Sequence, residues 1–343
     1  MAKRQSKRLG KQTLKMQNPP AILSHASVVG TKEAQGPLKD WFDVTLSDDM
    51  CGKSTFEQAE NEILLTATRM AVKRAGLQQD DVHFFLAGDL LNQIVSASFA
   101  ARELTMPFFG LYGACSTMCE SLSLGSILID GGFADTVLCA SCSHFATAER
   151  QYRNPLELGS QRPPAAQWTV TGAGSTLLGA EGKGPFVEMV TVGKVNDWGI
   201  SDANNMGAAM APAAVDTLFT HFEDTGRRPE DYDLIATGDL GAIGSEILRE
   251  MMGQHGIDMG PNYTDCGLEI FDREAQDVHA GGSGCGCVAS VLNSYLLKRL
   301  EQGDFERILV CATGALHSPT TSLQGETIPG IAHAVSIIRE RGN

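Results

Sequence analysis

The sequence predicts an α/β protein made of two similar halves, in which helices lie between and outside two sheets to give five layers, αβαβα. Two observations predict this arrangement. Short apolar runs typical of buried strands alternate with helical patterns along the 343 residues, and the elements of the first half recur in the second. Apolar strands that alternate with helices imply sheets covered on both faces, which gives the layers.

The repeat is visible when the two halves are aligned. Two pairs of segments carry it: VHFFLAGDL (82–90) with YDLIATGDL (232–240), and GGFADTVLCASCS (131–143) with QGDFERILVCATGA (302–315). The second pair matches Phe133 with Phe305 and Cys139 with Cys311. Self-similarity on this scale indicates a duplicated domain, because solenoid repeats have periods of about 20 to 50 residues.

The elements can be assigned in chain order. The first half is predicted to contain a helix over 55–76, strands in VHFFLAG and MPFFGLYG, a central helix after GACSTM, and strands in DTVLCAS and STLLG. The second half follows the same order, with a helix over 207–226, a strand in DLIATG, a central helix after GGSGCGC, and a strand in RILVCATG. The alignment places Cys115 opposite Cys287, so each central helix has a cysteine near its start.

We therefore divide the chain into a basic, disordered arm (1–9), an N-terminal half (10–185) and a C-terminal half (186–343). The first 17 residues contain no acidic residue and these basic ones: Lys3, Arg4, Lys7, Arg8, Lys11 and Lys15. A solvated arm and a segment attracted to an anionic membrane surface are both open interpretations. No apolar segment follows, so a secretory signal is not expected.

Composition excludes several classes of protein. The net charge of −14 and the pI of about 5.0 argue against a nucleic-acid partner, which needs a clustered basic face. No apolar run approaches the roughly 18 residues of a membrane helix, so a soluble globular protein is expected. Nine cysteines without a secretory signal indicate a reducing compartment, and their spacing builds no zinc tetrad. We expect no metal site and no cofactor.

Several segments carry a resemblance to a known family: LAGDLLNQ, FGLYGACSTM, DGGFADTVLCASCSHFATAERQYRNP, TVTGAGSTLLG, MGAAMAPAAVDT, LIATGDLGAIGS, HAGGSGCGC and ATGALHSPTTSLQGETIPGIAH. The chain closely resembles the stage V sporulation protein AD family from about Gly10 to Arg339. That family has the thiolase-like fold, which agrees with the duplicated α/β halves.

The resemblance implies a homodimer that binds dipicolinic acid, pyridine-2,6-dicarboxylate. It also implies a part in the uptake of this compound into the developing spore, together with membrane-embedded subunits of the same transport system. The ligand could bind free or as its calcium salt. The expected location is cytoplasmic or peripheral at the spore inner membrane.

The residues themselves argue against catalysis. Cys115 occupies the position of a thiolase nucleophile, at a helix start where the dipole favours thiolate. Enzymes of this fold also need an acid/base histidine and a second His, Asn or Cys, but Gly281 to Gly284 and Thr237 to Asp239 carry no imidazole or amide at the matching places. We therefore expect a binding pocket on a degenerate catalytic scaffold. The alternative is an active acyltransferase or condensing enzyme that uses Cys115 and acyl-CoA.

A pocket for a planar dianion needs cations, N–H groups and a flat wall. The two helix starts, 113–117 and 281–285, are expected to converge on one ligand. The candidate ligand-binding residues are Cys115, His144, Arg150, Arg153, Asn92, Gly282, Ser283 and His317. For Arg150 and Arg153 a solvated helix face paired with Glu149 is an equal alternative, and Asp89 and Asp239 are interpreted as caps of the helices that follow them.

Overall fold

The computed structural model describes residues 6–153, 156 and 161–341. The strands are β1 (Thr13–Lys15), β2 (Ala21–Val29), β3 (Val44–Thr45), β4 (Phe84–Gly88), β5 (Phe108–Gly110), β6 (Thr136–Ser143), β7 (Trp168–Thr169), β8 (Gly172–Gly179), β9 (Phe186–Val192), β10 (Leu234–Thr237), β11 (Tyr263–Asp265), β12 (Gly282–Ser283), β13 (Arg307–Ala315) and β14 (Gly330–Ile338). The helices are α1 (Phe56–Arg74), α2 (Val95–Leu104), α3 (Thr117–Asp130), α4 (Phe145–Tyr152), α5 (Met206–Thr225), α6 (Gly241–Gln254), α7 (Cys266–Glu269), α8 (Cys285–Val291), α9 (Leu297–Gln302) and α10 (Pro319–Leu323).

The sheet shows the duplication that the repeat predicts. Its strands run in the order β11-β10-β13-β14-β9-β2-β8-β6-β4-β5, with β1 on β9 and β3 on β2. The strands of the two halves correspond one to one from the junction outward: β9, β14, β13, β10 and β11 match β2, β8, β6, β4 and β5. In the first half, β4 pairs in parallel with β5 and β6, and β6 pairs antiparallel with β8. In the second half, β10 pairs in parallel with β11 and β13, and β13 pairs antiparallel with β14. Strands β2 and β9, which lie side by side where the halves join, pair at a single position, Ala21 with Phe186.

The sequence predicts two sheets, and the structure has one continuous sheet whose two halves form the two β layers, with helices between and outside them to give five layers. Helices α1 and α2 contact the outer face of the first half, and α5 and α6 lie together on the second. Helix α3 contacts strands of both halves, and α8 lies beside it. The first turn of α1 is capped by the side chain of Thr55, which accepts a hydrogen bond from Gln58 N.

The central helix α3 can lie close to the sheet because small residues such as Ser121 and Gly125 are among its buried positions. An added Cβ at Gly125 would lie 2.8 Å from the sulfur of Cys139 and 3.2 Å from Leu178 Cδ1. Cys139 in β6 and Cys311 in β13 occupy equivalent strands and are fully buried. Both therefore contribute to packing, as small apolar side chains do.

Two details differ from expectation. Helix α8 begins at Cys285, so Cys285 and not Cys287 occupies the start of the second central helix. Of the expected basic arm, residues 6–9 belong to a hairpin in which Leu9 N donates to Thr13 O and Lys15 N donates to Lys7 O, while residues 1–5 lie outside the described residues. None of the described helices is both long and apolar enough to cross a membrane.

Candidate functional site

A pocket lies where the two halves meet, around the start of α3. Its cavity volume is about 40 Å³, and the surrounding empty space, which includes the solvent at its open mouth, is about 450 Å³. The lining residues are Leu90, Tyr112, Ala114, Cys115, Ala148, Tyr152, Arg153, Thr169, Met206, Ser283, Ala315 and His317. The lining is mostly apolar and aromatic, with a few polar groups, which is typical of a small-molecule site.

Cys115 is held in this pocket by an unusual backbone turn. Ala114, the residue before it, has a φ of +48°, in the left-handed region that non-glycine residues rarely adopt. A short turn of 3-10 helix over Ala114–Ser116 then leads into α3. Strain of this kind costs about 1 to 3 kcal/mol and occurs mainly at functional sites. The local backbone is thus shaped to present the Cys115 side chain.

The carboxylate of Asp239 lies near enough to the Cys115 thiol to influence its ionisation. The pKa of Cys115 is raised well above its ordinary value, first by burial and then by the Asp239 and Cys285 side chains. A carboxylate that accepts the thiol proton stabilises the neutral form, which is the opposite of what a nucleophile needs. No imidazole among the described residues hydrogen-bonds the Cys115 sulfur.

Asp239 is fixed by three further donors. Thr313 Oγ1 donates to Oδ1 at 2.7 Å, and Gly284 N and Ser283 Oγ donate to Oδ2 at 2.8 and 3.2 Å. Burial raises the pKa of Asp239 to about 6 against the effect of these hydrogen bonds. Sequence reasoning found no base at Thr237 to Asp239, yet the structure places a carboxylate there, beside the sulfur.

The start of α8 is not free to bind a ligand. Its first N–H groups are taken inside the protein, Gly284 N by Asp239 and Gly286 N by Ser143 Oγ at 3.0 Å. The start of α8 therefore has fewer N–H groups available to a ligand than the sequence predicts. An internal carboxylate already occupies that position, because the positive end of the helix favours an anion.

The repeated Gly-Asp-Leu motif has two different roles. Asp89 caps the chain that follows it, as predicted, by accepting from Leu91 N at 2.8 Å and Ala97 N at 2.7 Å. Asp239 does not cap α6. The N–H groups of Leu240 and Gly241 donate instead to Asp265, at 2.9 and 3.0 Å, which leaves Asp239 free to face Cys115.

Three of the predicted ligand-binding residues join Cys115 in the pocket: Arg153, Ser283 and His317. Arg153 has a side chain only 7% exposed, and its Nη1 donates to Glu149 at 2.9 Å, as its alternative interpretation predicted. Its Nε is buried without a partner among the described residues. His317 bonds Ser322 Oγ through Nε2 at 2.8 Å, and burial and then Arg153 lower its pKa.

The other predicted residues lie elsewhere. Arg150 is half exposed and pairs with Glu57 on the protein surface. His144 caps α4, where its Nδ1 accepts from Ala146 N at 3.1 Å and its Nε2 bonds Asp49 O at 3.0 Å. Asn92 lies in an adjoining cleft that shares Tyr112 and His317 with the pocket. Gly282 pairs with Trp168 in the small sheet of β7 and β12 and does not line the pocket.

Two tyrosines form a wall that sequence reasoning missed. The hydroxyls of Tyr112 and Tyr152 lie 3.1 Å apart, and the Tyr152 ring lies 5.3 Å from the His317 ring at an angle of 37°. Tyr152 also donates to Leu90 O. The sequence did hold a hint of this wall, since Tyr112 lies within GLYGAC and Tyr152 within ERQYRNP, two segments already singled out.

Within the described part of the chain, no three His, Cys, Asp or Glu side chains come together as metal ligands would. The chemistry available in the pocket is therefore that of aromatic walls, one buried guanidinium and a protonated thiol.

Comparison with known proteins identifies relatives. The chain matches the protein family Stage V sporulation protein AD over residues 10–338. It is 46% identical to Stage V sporulation protein AD of Bacillus subtilis (strain 168) over 333 residues, which cover 97% of this chain and 98% of that one.

Solved structures show the same fold at low sequence identity. The structure of 3-oxoacyl-[acyl-carrier-protein] synthase III from Aquifex aeolicus VF5 matches with a TM-score of 0.57 and 12% identity, covering 93% of this chain and 99% of that one. Cerulenin-bound OleA of Xanthomonas campestris matches with a TM-score of 0.62 and 12% identity, covering 95% of this chain and all of the other. The fold is thus the thiolase-like fold predicted from the sequence.

Proposed function

This chain belongs to the stage V sporulation protein AD family, and from that membership we propose that it binds dipicolinic acid in the Cys115 pocket and takes part in uptake of this compound into the developing spore. On this proposal the protein is a binding protein with the scaffold of an acyl-transfer enzyme. The observation that carries it is the burial of Cys115 near Asp239: burial, and then the Asp239 charge, raise the pKa of the thiol and keep the sulfur protonated.

Acyl transfer needs a thiolate and a group that carries the proton away. Here the pKa of the thiol is raised and the nearest charged group is a carboxylate. Ser283 supplies only a hydroxyl, which is engaged by Asp239. A negative group beside the sulfur also disfavours the oxyanion that forms when a thioester is attacked. These features support binding over catalysis.

The pocket suits a small planar acid. The rings of Tyr112, Tyr152 and His317 offer flat walls, and Arg153 offers a buried guanidinium. A guanidinium binds a carboxylate through two parallel N–H groups, and burial strengthens this interaction. The apolar part of the lining, such as Leu90 and Ala148, would contact the edge of an aromatic ring.

The partners follow from the same proposal. Strand β5 lies at the edge of the sheet and carries Phe109, which is 45% exposed, next to the exposed Tyr112. An exposed apolar edge strand favours pairing with another chain, so we propose that two copies pair through β5. Docking on membrane-embedded subunits at the spore inner membrane, and binding of the calcium salt, belong to the same proposal.

Calorimetry tests the ligand. We expect saturable heat when the protein is titrated with pyridine-2,6-dicarboxylate, and a rise in melting temperature with ligand concentration, because a ligand that binds only the folded state stabilises it. Pyridine-3,5-dicarboxylate is the matched control ligand, since its carboxylates diverge from the ring nitrogen. The absence of heat and of a melting shift at millimolar ligand would reject the proposal.

An active acyltransferase is the competing function. It is favoured by the strained turn at Ala114, which presents Cys115 at a helix start, and by an Asp239 carboxylate whose pKa of about 6 lets it accept a proton near neutral pH. Incubation with acetyl-CoA and longer acyl-CoAs followed by intact-mass measurement separates the two functions. We expect no adduct. An adduct that is lost in Cys115→Ser would establish acyl transfer.

A further inference from the structure

Two largely buried arginines, Arg153 and Arg162, lie near the Cys115 pocket. Arg153 follows α4 and lines the pocket, and Arg162 precedes β7. The side chain of Arg162 is 13% exposed. Arg162 Cζ lies 4.7 Å from the centre of the Trp168 ring, and Thr169, the next residue, lines the pocket together with Arg153. Burial lowers the pKa of Arg162, Asp277 acts in the opposite direction, and the charge of Arg153 lowers it further.

Each of the two guanidinium groups has one buried nitrogen without a hydrogen-bond partner. Arg153 Nε and Arg162 Nη1 have no hydrogen-bond partner among the residues that the structure describes. A buried donor without an acceptor costs about 1 to 3 kcal/mol, and more when the group is charged. Two such donors on neighbouring cations indicate a place where a negatively charged acceptor binds.

A third cation lies beside them on an aromatic platform. The ring of Phe145 stacks on that of Trp168 at 3.7 Å and an angle of 6°, which leaves the opposite face of Trp168 open. Lys32 Nζ lies 4.2 Å and Arg162 Cζ 4.7 Å from the centre of the Trp168 ring. Burial and then the charge of Arg162 lower the pKa of Lys32. Two like charges thus lie within 5 Å of the centre of the same ring.

The acidic groups nearby do not balance these charges. Glu149 pairs with Arg153, and Asp277, which pairs with Arg162, is 82% exposed and is also contacted by His279. Solvent weakens an ion pair with so exposed a carboxylate. Glu33 also acts on Lys32, but burial raises its pKa to about 8, so it is mostly neutral at pH 7. At that pH, Glu149 and Asp277 leave one positive charge in excess among Lys32, Arg153 and Arg162, which one carboxylate or phosphate of a ligand would neutralise.

A strained loop holds the cluster in place. Asp277 and His279 have φ values of +51° and +54°, both in the left-handed region. Arg162 donates to Asp277 O, His279 Nδ1 bonds Pro163 O at 2.8 Å, and Trp168 N donates to Gly281 O at 2.8 Å. The segment 277–281 therefore fixes both Arg162 and Trp168. Two strained residues in one short segment are typical of a site whose geometry matters.

We propose that Arg153 and Arg162 form an anion-binding pair at the edge of the Cys115 pocket, with Lys32 beside it on Trp168, and that the pair receives a carboxylate or phosphate group of the ligand. This deepens the proposed function and rests on it for the identity of the ligand. The ligand then lies with its charged end toward Arg153 and Arg162 and its apolar part toward Cys115, away from Asp239.

The test compares Arg162→Gln with Arg150→Gln, the same change at an arginine that the structure places outside the pocket, on Glu57. The probes are pyridine-2,6-dicarboxylate, which brings carboxylates, and coenzyme A and inorganic phosphate, which bring phosphates. We expect Arg162→Gln to weaken binding about 10- to 100-fold, the loss of a hydrogen bond between charged groups, and Arg150→Gln to change it less than about twofold. If Arg162→Gln fails to fold, Lys32→Gln is measured instead, with an expected loss of about three- to tenfold.

The outcomes separate the anion pair from the proposed ligand. Weaker dipicolinate binding in Arg162→Gln alone supports both. If the wild type binds only coenzyme A or phosphate and Arg162→Gln loses that binding, the pair stands and dipicolinate is the wrong ligand. Dipicolinate binding that is equal in the wild type and Arg162→Gln overturns the pair and leaves the proposed function intact. No binding of any probe by the wild type overturns both.

Discussion

Asp239 and Cys115 lie close together in the buried pocket, where burial and then the Asp239 carboxylate raise the pKa of the Cys115 thiol. Asp239 is held there by Thr313, Ser283 and Gly284, so it cannot swing away without losing three hydrogen bonds. The negative charge stabilises the neutral thiol, and this relationship decides between a binding pocket and an acyl-transfer site.

The first prediction concerns the reactivity of Cys115. Asp239→Asn removes the charge beside the sulfur, so the pKa of Cys115 should fall and its alkylation by iodoacetamide at pH 8 should become about tenfold faster or more. The rate is followed by intact mass in a Cys51→Ser background, because Cys51 is the one cysteine that is not buried among the described residues. Asp89→Asn, which removes a buried carboxylate that caps a helix, is the control. Equal rates in Asp239→Asn and the wild type would show that Asp239 does not govern the thiol.

The second prediction concerns pH and stability. Burial is the main cause that raises the pKa of Glu33 from 4.5 to about 8. Because the folded value is the higher one, the stabilisation that comes from protonating Glu33 is fully present below about pH 4.5 and is lost as the pH rises through about 8. The side chain in Glu33→Gln cannot ionise, so the variant should keep this stabilisation at all pH values. Relative to the wild type, the variant should gain a few kcal/mol in free energy of unfolding between pH 5 and pH 9, since each pKa unit is about 1.4 kcal/mol.

Urea unfolding at a series of pH values measures that difference. The comparison with the wild type cancels the other buried carboxylates, including Asp265, whose pKa burial raises to about 7. A constant difference between the two proteins across this pH range would show that Glu33 ionises normally in the folded state.

The third prediction concerns the contact between α3 and β6. Gly125→Ala would put a Cβ 2.8 Å from the Cys139 sulfur and should destabilise the protein by about 1 to 3 kcal/mol. Gly253→Ala in α6 is the matched control, because nothing lies within 4 Å of its Cβ and alanine is the better helix former. We expect the control to be neutral or slightly stabilising in thermal unfolding. A Gly125→Ala protein as stable as the control would contradict the close approach.

The fourth prediction concerns the proposed pairing of two copies through β5. Phe109→Lys puts a charge on the edge strand and should convert a dimer into a monomer. Phe133→Lys, at a ring that is 72% exposed and lies outside β5, should leave the dimer intact. Light scattering after size-exclusion chromatography gives the mass. A dimer that survives Phe109→Lys would place the interface elsewhere.

The sequence predicts the fold well because the hydrophobic patterns of the strands and helices in the first half recur in the second. The site is harder, because its roles depend on contacts between distant segments. Asp89 and Asp239 stand in the same Gly-Asp-Leu motif, yet only Asp89 acts as a cap, since Asp265 caps α6 instead of Asp239. Nothing local to Asp239 shows that Asp265 will lie there.

The arginines illustrate the same limit. Arg150 and Arg153 are three residues apart on one short helical segment, and the sequence treats them alike. The structure turns Arg150 outward to Glu57 and Arg153 into the pocket. Arg162 drew no attention in the sequence, because its importance comes from Trp168 and the loop over 277–281, which contact it only in the folded protein.

The most direct test of the central claim is the pH profile of Cys115 alkylation in the wild-type pocket, measured in the Cys51→Ser background with and without dipicolinate. A protonated, ligand-facing thiol predicts that the rate is still rising above about pH 9, and that dipicolinate protects Cys115 at every pH. A rate that levels off near pH 7 and is insensitive to dipicolinate would show a thiolate in an empty catalytic site, and would contradict the account.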